Sequence, residues 1–321
     1  MRVSIITVNY NETKATCALL DSIQRQGYRD VEIIVVDNAS WENPTAIFKS
    51  QYPGVKFIRS EQNLGFAGGN NLAIPSAQGA YLFFVNNDAE LEPGCIEQLL
   101  QLFESHPSIG IVSPLICYFP EAELPAIAPS AKAHIIQYAG MTSVSSCTGR
   151  NRTIGAGALD RGQFSKPQPT AYAHGAAMMV PRKVLDHVGP MWEGFFLYYE
   201  ELDWCARIRK AGKEVWVEPR ARVWHKESLT LDKMGTTKTY YLTRNRILFM
   251  RRNFEGWKLG VFFVFLLLVV MPKNCLIYLL KGDFKNLKAF SKGIFASFKI
   301  PSKFQPPNAS GQTFREVTEP I

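Results

Sequence analysis

The stretch that decides the fold is YLFFVNNDAEL, residues 81–91. The apolar run from Tyr81 to Val85 has the length and composition of a buried strand. It stops abruptly at Asn86-Asn87-Asp88, with Glu90 just beyond. Asn and Asp often end strands because their side chains bond the local backbone in a turn. Their oxygens are also hard ligands, suited to Mg²⁺ or Mn²⁺ holding a diphosphate. The choice between turn and metal site depends on the sequence around the stretch.

Working outward, VSIITV (3–8), VEIIVVD (31–37), VKFIRS (55–60), AYLFFV (80–85) and IGIVSP (109–114) read as strands. Helical patterns fall between them at 12–26, near 44–51, and from NLGFAGGNN (63–71) toward Ala77. Another runs from Pro93, a residue suited to a first helical turn, to about Ser105. Repeated β–α–β units with near-continuous apolar strands predict an α/β fold, its central sheet mostly parallel and flanked by helices. Ligands in such sheets bind at the carboxyl ends of strands. Asp37 and Asp88 both sit at such ends, which weighs against a turn alone. Residues 117–170 are rich in Pro, Ala, Gly and Ser, and read as long loops with short antiparallel strands around an acceptor site. AAMMV (176–180), EVWVEP (214–219) and RVWH (222–225) read as short strands. YYEELDWCARIRKAG (198–212) reads as a helix whose acidic first turn suits the helix dipole, with Gly212 at its end.

The 321 residues, 46% hydrophobic and 20% charged, have a globular composition and suffice for one large domain or two small ones. Six cysteines at 17, 95, 117, 147, 205 and 275 form no CxxC pair, so neither a zinc knuckle nor a disulfide framework is expected, and a reducing compartment is the simplest reading. Met1-Arg2 leads straight into a strand-like run, without a signal-peptide pattern. The net charge of +8 is unevenly placed: from residue 233 onward there are 15 Lys and Arg against 4 Asp and Glu. The basic excess therefore belongs to the C-terminal segment. That points to a tail meeting an anionic membrane surface, and away from a body that binds nucleic acid.

In chain order, TVNYN (7–11), VVDNAS (35–40), NLGFAGGNN (63–71), VNNDAEL (85–91), FFLYYEELDWCARIRKAG (195–212) and ARVWHKES (221–228) form a series. In this series the chain resembles family-2 glycosyltransferases, most nearly the bacterial rhamnosyltransferase-like branch, over roughly residues 3–252. The resemblance implies the GT-A nucleotide-diphospho-sugar transferase fold and inversion at the anomeric carbon of the sugar. It divides the chain into a glycosyltransferase domain at 1–252, with a nucleotide-sugar-binding half (1–115) and an acceptor half (116–252), followed by membrane-associating helices at 253–300.

Carried over residue by residue, Asp37 matches the acid that bonds the base or ribose; the alternative for DNAS is a helix cap. Thr7, Asn9 and Tyr10 match the nucleotide-facing loop after the first strand, and Asn63, Gly65, Phe66 and Asn70 match the segment beside the nucleotide. Gly68-Gly69 permits close backbone approach or is an ordinary flexible turn. Asn86-Asn87-Asp88 matches the family's metal motif, DxD, with an amide in place of its first acid. Asp88 is then the main ligand for a divalent cation, Mg²⁺ or Mn²⁺. Asn86 assists, Asn87 lies on the nucleotide side, and Glu90 stands behind the site or in solvent. His225 matches a late histidine that supplies a further metal ligand, the alternative being a hydrogen-bonded surface histidine.

Glu200-Glu201 matches an acidic pair whose second member is the general base, here Glu201, with Asp203 as the alternative catalytic carboxylate. Three acids at 200, 201 and 203 would also complement a helix dipole. Arg244 in YYLTRNR reads equally as a phosphate contact or as part of a solvated helix face.

LGVFFVFLLLVVM (259–271) carries no charge but is shorter than the ~20 residues of a typical spanning helix. Pro272-Lys273-Asn274 interrupts it before CLIYLL (275–280). A buried core helix is one reading; an interfacial or re-entrant element is preferred because of residues 283–299. There, helical plotting puts Phe284, Leu287, Phe290, Ile294, Phe295 and Phe298 on one face, with Lys285, Lys288, Lys292 and Lys299 beside it. That is the pattern of a helix lying in a membrane surface. Beyond about Pro301 the chain reads as disordered.

These readings converge on a metal-dependent inverting transferase on the cytoplasmic face of a bacterial inner membrane. It would pass a sugar from a nucleotide-diphospho-sugar donor, in the first instance rhamnose from dTDP-rhamnose, to a lipid-linked saccharide acceptor. UDP-galactofuranose and UDP-N-acetylglucosamine are alternative donors. A sugar-phosphate nucleotidylyltransferase and a non-catalytic nucleotide-sugar-binding module are the rival classes.

Overall fold

The computed structural model describes residues 1–119, 134–226 and 235–302. Four strands, β1 (Val3–Asn9), β2 (Val31–Asn38), β3 (Lys56–Ser60) and β4 (Tyr81–Val85), lie parallel in the order β3-β2-β1-β4. Helices α1 (Thr13–Gln24), α2 (Thr45–Gln51) and α3 (Gly65–Ala73) connect them. Ile5, Ile6, Ile34, Val35, Val36, Leu82, Phe83 and Phe84 are fully buried, as strands covered on both faces require.

Beyond β4 the sheet changes direction. Strand β9 (Ala177–Pro181) runs antiparallel to β4 and separates it from β6 (Ile109–Tyr118). β10 (Glu214–His225) pairs parallel with β6, and the short β5 (Ala89–Leu91) closes that edge antiparallel to β10. β7 (Ile136–Tyr138) and β8 (Gln168–Pro169) add to β6 and β10. The sheet is therefore mixed: β1 to β4 and the β6–β10 pair are parallel, and β5, β7, β8 and β9 join antiparallel. The parallel expectation holds for β1 to β4, where each crossover contains a helix. It fails where β9 enters from the loop-rich segment in the opposite sense. The stretches 214–219 and 222–225 are one strand with a register shift between Glu218 and Arg222, beside Pro219, which cannot donate to the ladder.

Helices α4 (Cys95–Ser105), α5 (Arg182–Val188), α6 (Glu200–Lys210) and α7 (Gly235–Asn253) complete the body. α7 carries no clean apolar period because its buried residues include Arg244, Asn245 and Arg246.

The chain from Gly256 to Leu280 is one helix of 25 residues with a mean hydropathy of 2.2 in its most apolar window. It comprises α8 (Gly256–Phe265), a π-helical turn (Leu266–Val270) and α9 (Met271–Leu280). The expected interruption at 272–274 is absent: the helix continues through Pro272, and the wider turn just before it accommodates the ring. At 1.5 Å per residue it is about 37 Å long, enough by length and composition to cross a bilayer's ~30 Å core. Phe262, Leu266 and Val270 form a buried stripe, whereas Val264, Leu267, Leu268, Val269, Leu276, Leu279 and Leu280 are exposed.

The final helix, α10 (Phe284–Lys299), splits its expected apolar face. Phe290 and Ile294 pack inward with Ala289 and Gly293, and Gly293 approaches the α7 backbone so closely that a Cβ would stand 2.8 Å from the Tyr240 carbonyl oxygen. Phe284, Phe295 and Phe298 remain exposed. The tail expected to be disordered lies, from 303 onward, outside the described residues.

Candidate active site

The carboxyl ends of β1, β2 and β4 meet in a buried polar network. The parallel register sets Asn9 opposite Asp37, and Asp37 opposite Arg59. Asn9 donates to Asp37 Oδ1 at 2.7 Å and to Ser40 Oγ at 3.1 Å, while its own amide oxygen accepts from Thr16 at 2.8 Å. Asn87 donates to Thr16 Oγ1 at 3.1 Å. Arg59 pairs with Asp37 Oδ2 at 2.5 Å, and the Ser40 amide donates to the same oxygen at 3.3 Å. Asn9 and Asn87 thus hold Asp37 and tie β4 to α1. Asp37 is fully buried and uses three of the roughly four acceptor sites of a carboxylate. Thr7 is buried with its hydroxyl unbonded among the described residues, and Tyr10 is half-buried just beyond β1.

Asn38 organises the glycine-rich segment. It donates to Asn63 Oδ1 at 3.0 Å and to the Gly65 carbonyl at 3.1 Å, and accepts from the Leu64 amide at 2.9 Å. Gly65 has φ +70°, and a Cβ there would lie 2.2 Å from the Phe196 carbonyl oxygen. That carbonyl accepts from the Phe66 amide at 2.7 Å. Asn70 donates to the Phe66 carbonyl at 2.9 Å within its own helix. Gly69 is a close-packing position, since a Cβ there would meet Val8 at 2.9 Å.

Asp88 Oδ1 lies 3.1 Å from His225 Nε2, at the mouth of the sheet where β4 ends and β10 ends. Gln137 Oε1, from β7, holds His225 Nδ1 at 2.9 Å. Gln137 orients the ring so that Nε2 faces a carboxylate oxygen, a pairing of donors that could hold a cation. Asn86 Nδ2 is 3.3 Å from the same Nε2, so in this orientation it supports His225. Among the described residues no group of three His, Cys, Asp or Glu side chains gathers to hold a metal. Asp88 and His225 could hold an ion whose coordination is completed by diphosphate oxygens and water. Glu90 pairs with Lys226 at 3.1 Å and Arg25 at 3.5 Å. His174 stands beside this group, its ring 6.2 Å from that of His225. Burial, and then His225, push it down to about 3, so it is neutral, with Nδ1 accepting from the Ala176 amide at 3.1 Å.

The acidic pair is reached through β9. The Asn86 amide donates to the Ala176 carbonyl at 2.9 Å. A Cβ built on the adjacent Gly175 would lie 3.7 Å from the tip of the Phe66 ring and 4.0 Å from the Glu201 carboxyl carbon. Burial raises Glu201 to about 7, against hydrogen bonds from backbone amides of the helix start. Glu200 is buried with one carboxyl oxygen unbonded among the described residues; burial, and then Glu201, raise it well above the usual range. Both carboxyls of the pair are thus shifted upward, toward the range in which a carboxylate can accept a proton near neutral pH. The preceding turn is strained, with Phe196, Tyr198 and Tyr199 at φ +64°, +70° and +76°. Asn245 holds it by donating to the carbonyls of Phe195, Leu197 and Tyr198 at 2.9, 2.7 and 2.9 Å.

Two sequence expectations change here. Asp203 is unsuited to be the base. Its carboxylate is buried against Arg252 at 2.9 Å, Arg207 at 3.2 Å and Asn253 at 3.0 Å. Burial pushes its pKa up, but these partners more than offset it and hold it below the usual range. Arg244 is neither a phosphate contact nor on a solvated face. It is fully buried and donates to the Gly194 and Phe195 carbonyls at 3.0 and 2.7 Å. Sequence reasoning misses Asn38, Arg59, Gln137 and Asn245. Of these, Arg59 alone leaves a signal, since it follows from the register of VVDN against VKFIRS.

A mixed α/β sheet with a carboxylate and a histidine at its mouth and a raised carboxyl at the head of a helix fits the GT-A glycosyltransferase fold, which the comparisons with known proteins support. The sequence profile described as glycosyl transferase family 2 matches residues 4–189, and the chain belongs to that family. It is 24% identical over 266 residues to a Mycobacterium tuberculosis N-acetylglucosaminyl-diphospho-decaprenol L-rhamnosyltransferase, covering 79% of this chain and 85% of that one. It is 26% identical over 254 residues to the low-salt glycan biosynthesis hexosyltransferase Agl10 of Haloferax volcanii, covering 77% and 74%. Against the uncharacterized Sinorhizobium fredii protein y4gI, 26% identical over 268 residues, the match covers 80% of this chain and 27% of the relative. Among solved structures, Staphylococcus aureus TarS 1-349 superposes with a TM-score of 0.56 at 15% identity, covering 92% and 81%. The Pyrobaculum calidifontis mannosyltransferase PcManGT, solved with GDP-Man and Mn²⁺, gives 0.55 at 16%, covering 93% and 86%.

Proposed function

We propose that the chain is an inverting, metal-dependent glycosyltransferase that moves a sugar, rhamnose from dTDP-rhamnose, onto a lipid-linked saccharide at a membrane surface. The observation that carries this reading is the pairing of Asp88 with His225 at 3.1 Å, joined through Asn86, Ala176 and Gly175 to a Glu201 raised to about 7. Asp88 and His225 would hold the divalent cation, which when bound neutralises the departing diphosphate. Asp37 and the loop after β1 face the nucleotide. Glu201 takes the proton from the acceptor hydroxyl as that oxygen attacks the anomeric carbon from the side opposite the diphosphate. The choice of rhamnose and of a lipid-linked acceptor rests on the named activity of the M. tuberculosis relative. The exposed apolar helix 256–280 and the basic α10 support membrane association.

The test is a panel of nucleotide sugars scored for thermal stabilisation with Mn²⁺ and with EDTA, since a tight ligand raises the melting temperature by mass action. The best binder is then supplied with a polyisoprenyl-diphospho-N-acetylglucosamine acceptor. Stabilisation by dTDP-rhamnose in Mn²⁺, followed by sugar transfer, supports the reading. Preferential stabilisation by a UDP-sugar would replace the donor, and stabilisation without turnover on any acceptor would leave a binding module.

A further inference from the structure

Arg246 is a buried cation with no counter-ion among the described residues. It is only 7% exposed, and its Nε has no hydrogen-bond acceptor among the described residues. No carboxylate among them pairs with it. Its ring contact is Phe262 of the apolar helix, 5.8 Å from the guanidinium carbon to the ring centre. Nε alone is both buried and unbonded, while the terminal nitrogens keep access to the surface, where an anion can complete the group and offset the cost of burying the rest of it.

The surroundings of Arg246 make the deficit worse. The 145–150 turn, closed by a 2.8 Å bond from the Gly149 amide to the Ser145 carbonyl, lies against Arg246. A Cβ on Gly149 would stand 3.3 Å from Arg246 Cγ and 2.9 Å from the Phe262 ring. That turn carries Arg150, which also lacks an ion pair among the described residues. Burial, and then Arg150, push Arg246 down to about 10, so it remains charged at neutral pH. Tyr199 hydroxyl closes the group by donating to the Gly149 carbonyl at 3.3 Å. Tyr199 immediately precedes the Glu200-Glu201 pair and is within the field of Arg246, Arg150 and Glu201.

The contacts therefore run in one order. Asp88 and His225 lead through Asn86, Ala176 and Gly175 to Glu201; Tyr199, two residues before Glu201, reaches the turn that carries Arg150; and Arg246 lies against Phe262, on the buried stripe of the apolar helix whose other face is exposed. A lipid-linked acceptor has the same order: a saccharide hydroxyl for the base, then a diphosphate, then a hydrocarbon chain.

We propose that Arg246 and Arg150 form an anion subsite that takes the diphosphate of an isoprenyl-diphospho-saccharide acceptor, with Tyr199 beside it and the lipid chain on the helix that begins at Gly256. The subsite rests on the proposed lipid-linked acceptor, but it is tested through binding and not through turnover. Planar guanidinium groups suit a diphosphate, because each can present paired N–H donors to its oxygens.

The experiment uses the full chain in non-ionic detergent, with EDTA present so that a diphosphate cannot bind through a metal at Asp88. Farnesyl diphosphate is titrated against farnesol. Wild type should bind the diphosphate about tenfold or more tightly, the effect of at least one charge-assisted contact. Arg246→Gln and Arg150→Gln should each bring it toward the farnesol value. Both should be stabilised by dTDP and Mn²⁺ to the same extent as wild type. Arg150 is on an exposed turn, so its variant remains informative if Arg246→Gln does not fold. Equal binding of farnesol and farnesyl diphosphate by wild type overturns the subsite, as does undiminished binding by Arg150→Gln. Loss of dTDP binding in the Arg150 variant assigns the arginine to the donor side instead. Displacement of farnesyl diphosphate by phosphatidylglycerol at equal concentration makes this a headgroup site and overturns the acceptor assignment. If wild type transfers no sugar yet discriminates farnesyl diphosphate through Arg246, the transferase reading fails and the anion subsite stands.

Discussion

His225 Nε2 and Asp88 Oδ1 meet at 3.1 Å, across the gap between the end of β4 and the end of β10. Gln137 fixes the far nitrogen of the ring, so the imidazole is pre-oriented toward the carboxylate. Asp88→Ala removes the one carboxylate of the pair. Turnover and Mn²⁺-dependent stabilisation by a nucleotide sugar should both be lost, with the circular dichroism spectrum unchanged. Gln137→Leu should weaken metal affinity about 10- to 100-fold, the usual cost of losing a ligand's orienting partner. Full wild-type activity in EDTA would remove the metal role from both.

Glu201 should govern the acid limb of the pH profile. Its folded pKa is raised, to about 7, and a base must be deprotonated to act. Activity should therefore be present above about pH 7 and fall as pH drops below it, approaching tenfold per unit. Glu201→Gln should lower kcat by about 10²–10⁴ with donor affinity little changed. The acid limb should vanish from the residual activity; if it persists in that variant, the titrating group lies elsewhere.

Asp203 predicts the opposite behaviour. Two arginines and an asparagine enclose its carboxylate, and its pKa is held low. Such a group stabilises the fold at neutral pH, and that stability is lost as pH falls through its folded value. Asp203→Asn leaves Arg252 and Arg207 buried without their anion, which typically costs about 3–5 kcal/mol. Chemical denaturation should show that loss, while any variant that folds keeps its pH profile. A fully stable, inactive Asp203→Asn would restore it as a candidate base.

The sequence made the parallel half legible because each strand there is a short apolar run ended by a polar residue, with a helix before the next. It also brought Asp37, Asp88, Glu201 and His225 into view, since each stands at the end or start of an element. The features that stayed hidden depend on long-range pairing. Gln137 lies in a segment without periodicity, and only the pairing of β7 with β6 brings it to His225. Asn245 and Arg244 are polar residues buried in a helix, where the apolar period that would reveal the helix is broken by the very groups that hold the 194–198 carbonyls. The helix through Pro272 was hidden because a proline reads as a stop, and a single π turn removes the conflict.

Gly65 packs directly against the turn that precedes Glu200-Glu201, and a methyl group there should displace that turn. The residue has φ +70°, and its Cβ would meet the Phe196 carbonyl oxygen at 2.2 Å. Backbone has to move, and the Phe196–Tyr199 turn that precedes Glu200-Glu201 is the part it would push. Gly162→Ala is the control, with φ +77° and nothing within 4 Å of the added atom. The control should cost about 1–2 kcal/mol, the left-handed penalty alone. Gly65→Ala should cost more and lower kcat besides; equal effects from the two would mean that the turn yields freely.

The C-terminal helix makes the last prediction. Its 25 residues from Gly256 to Leu280 present an outward apolar surface that includes Leu267, Leu268, Leu276 and Leu280, and α10 adds exposed Phe284, Phe295 and Phe298 among its lysines. Apolar insertion is insensitive to salt, whereas attraction of lysines to anionic lipid is screened by it. Full-length protein should therefore sediment with anionic vesicles and resist extraction at high salt. Replacing Lys285, Lys288, Lys292 and Lys299 with Gln should weaken binding to anionic vesicles more than to neutral ones. Leu268→Asp with Leu276→Asp places charge on the exposed stripe without touching Phe262, Leu266 or Val270, so the body should stay folded while the salt-resistant fraction falls. A wild-type chain that stays in solution without detergent and ignores both kinds of vesicle would make this surface an interface with something other than lipid.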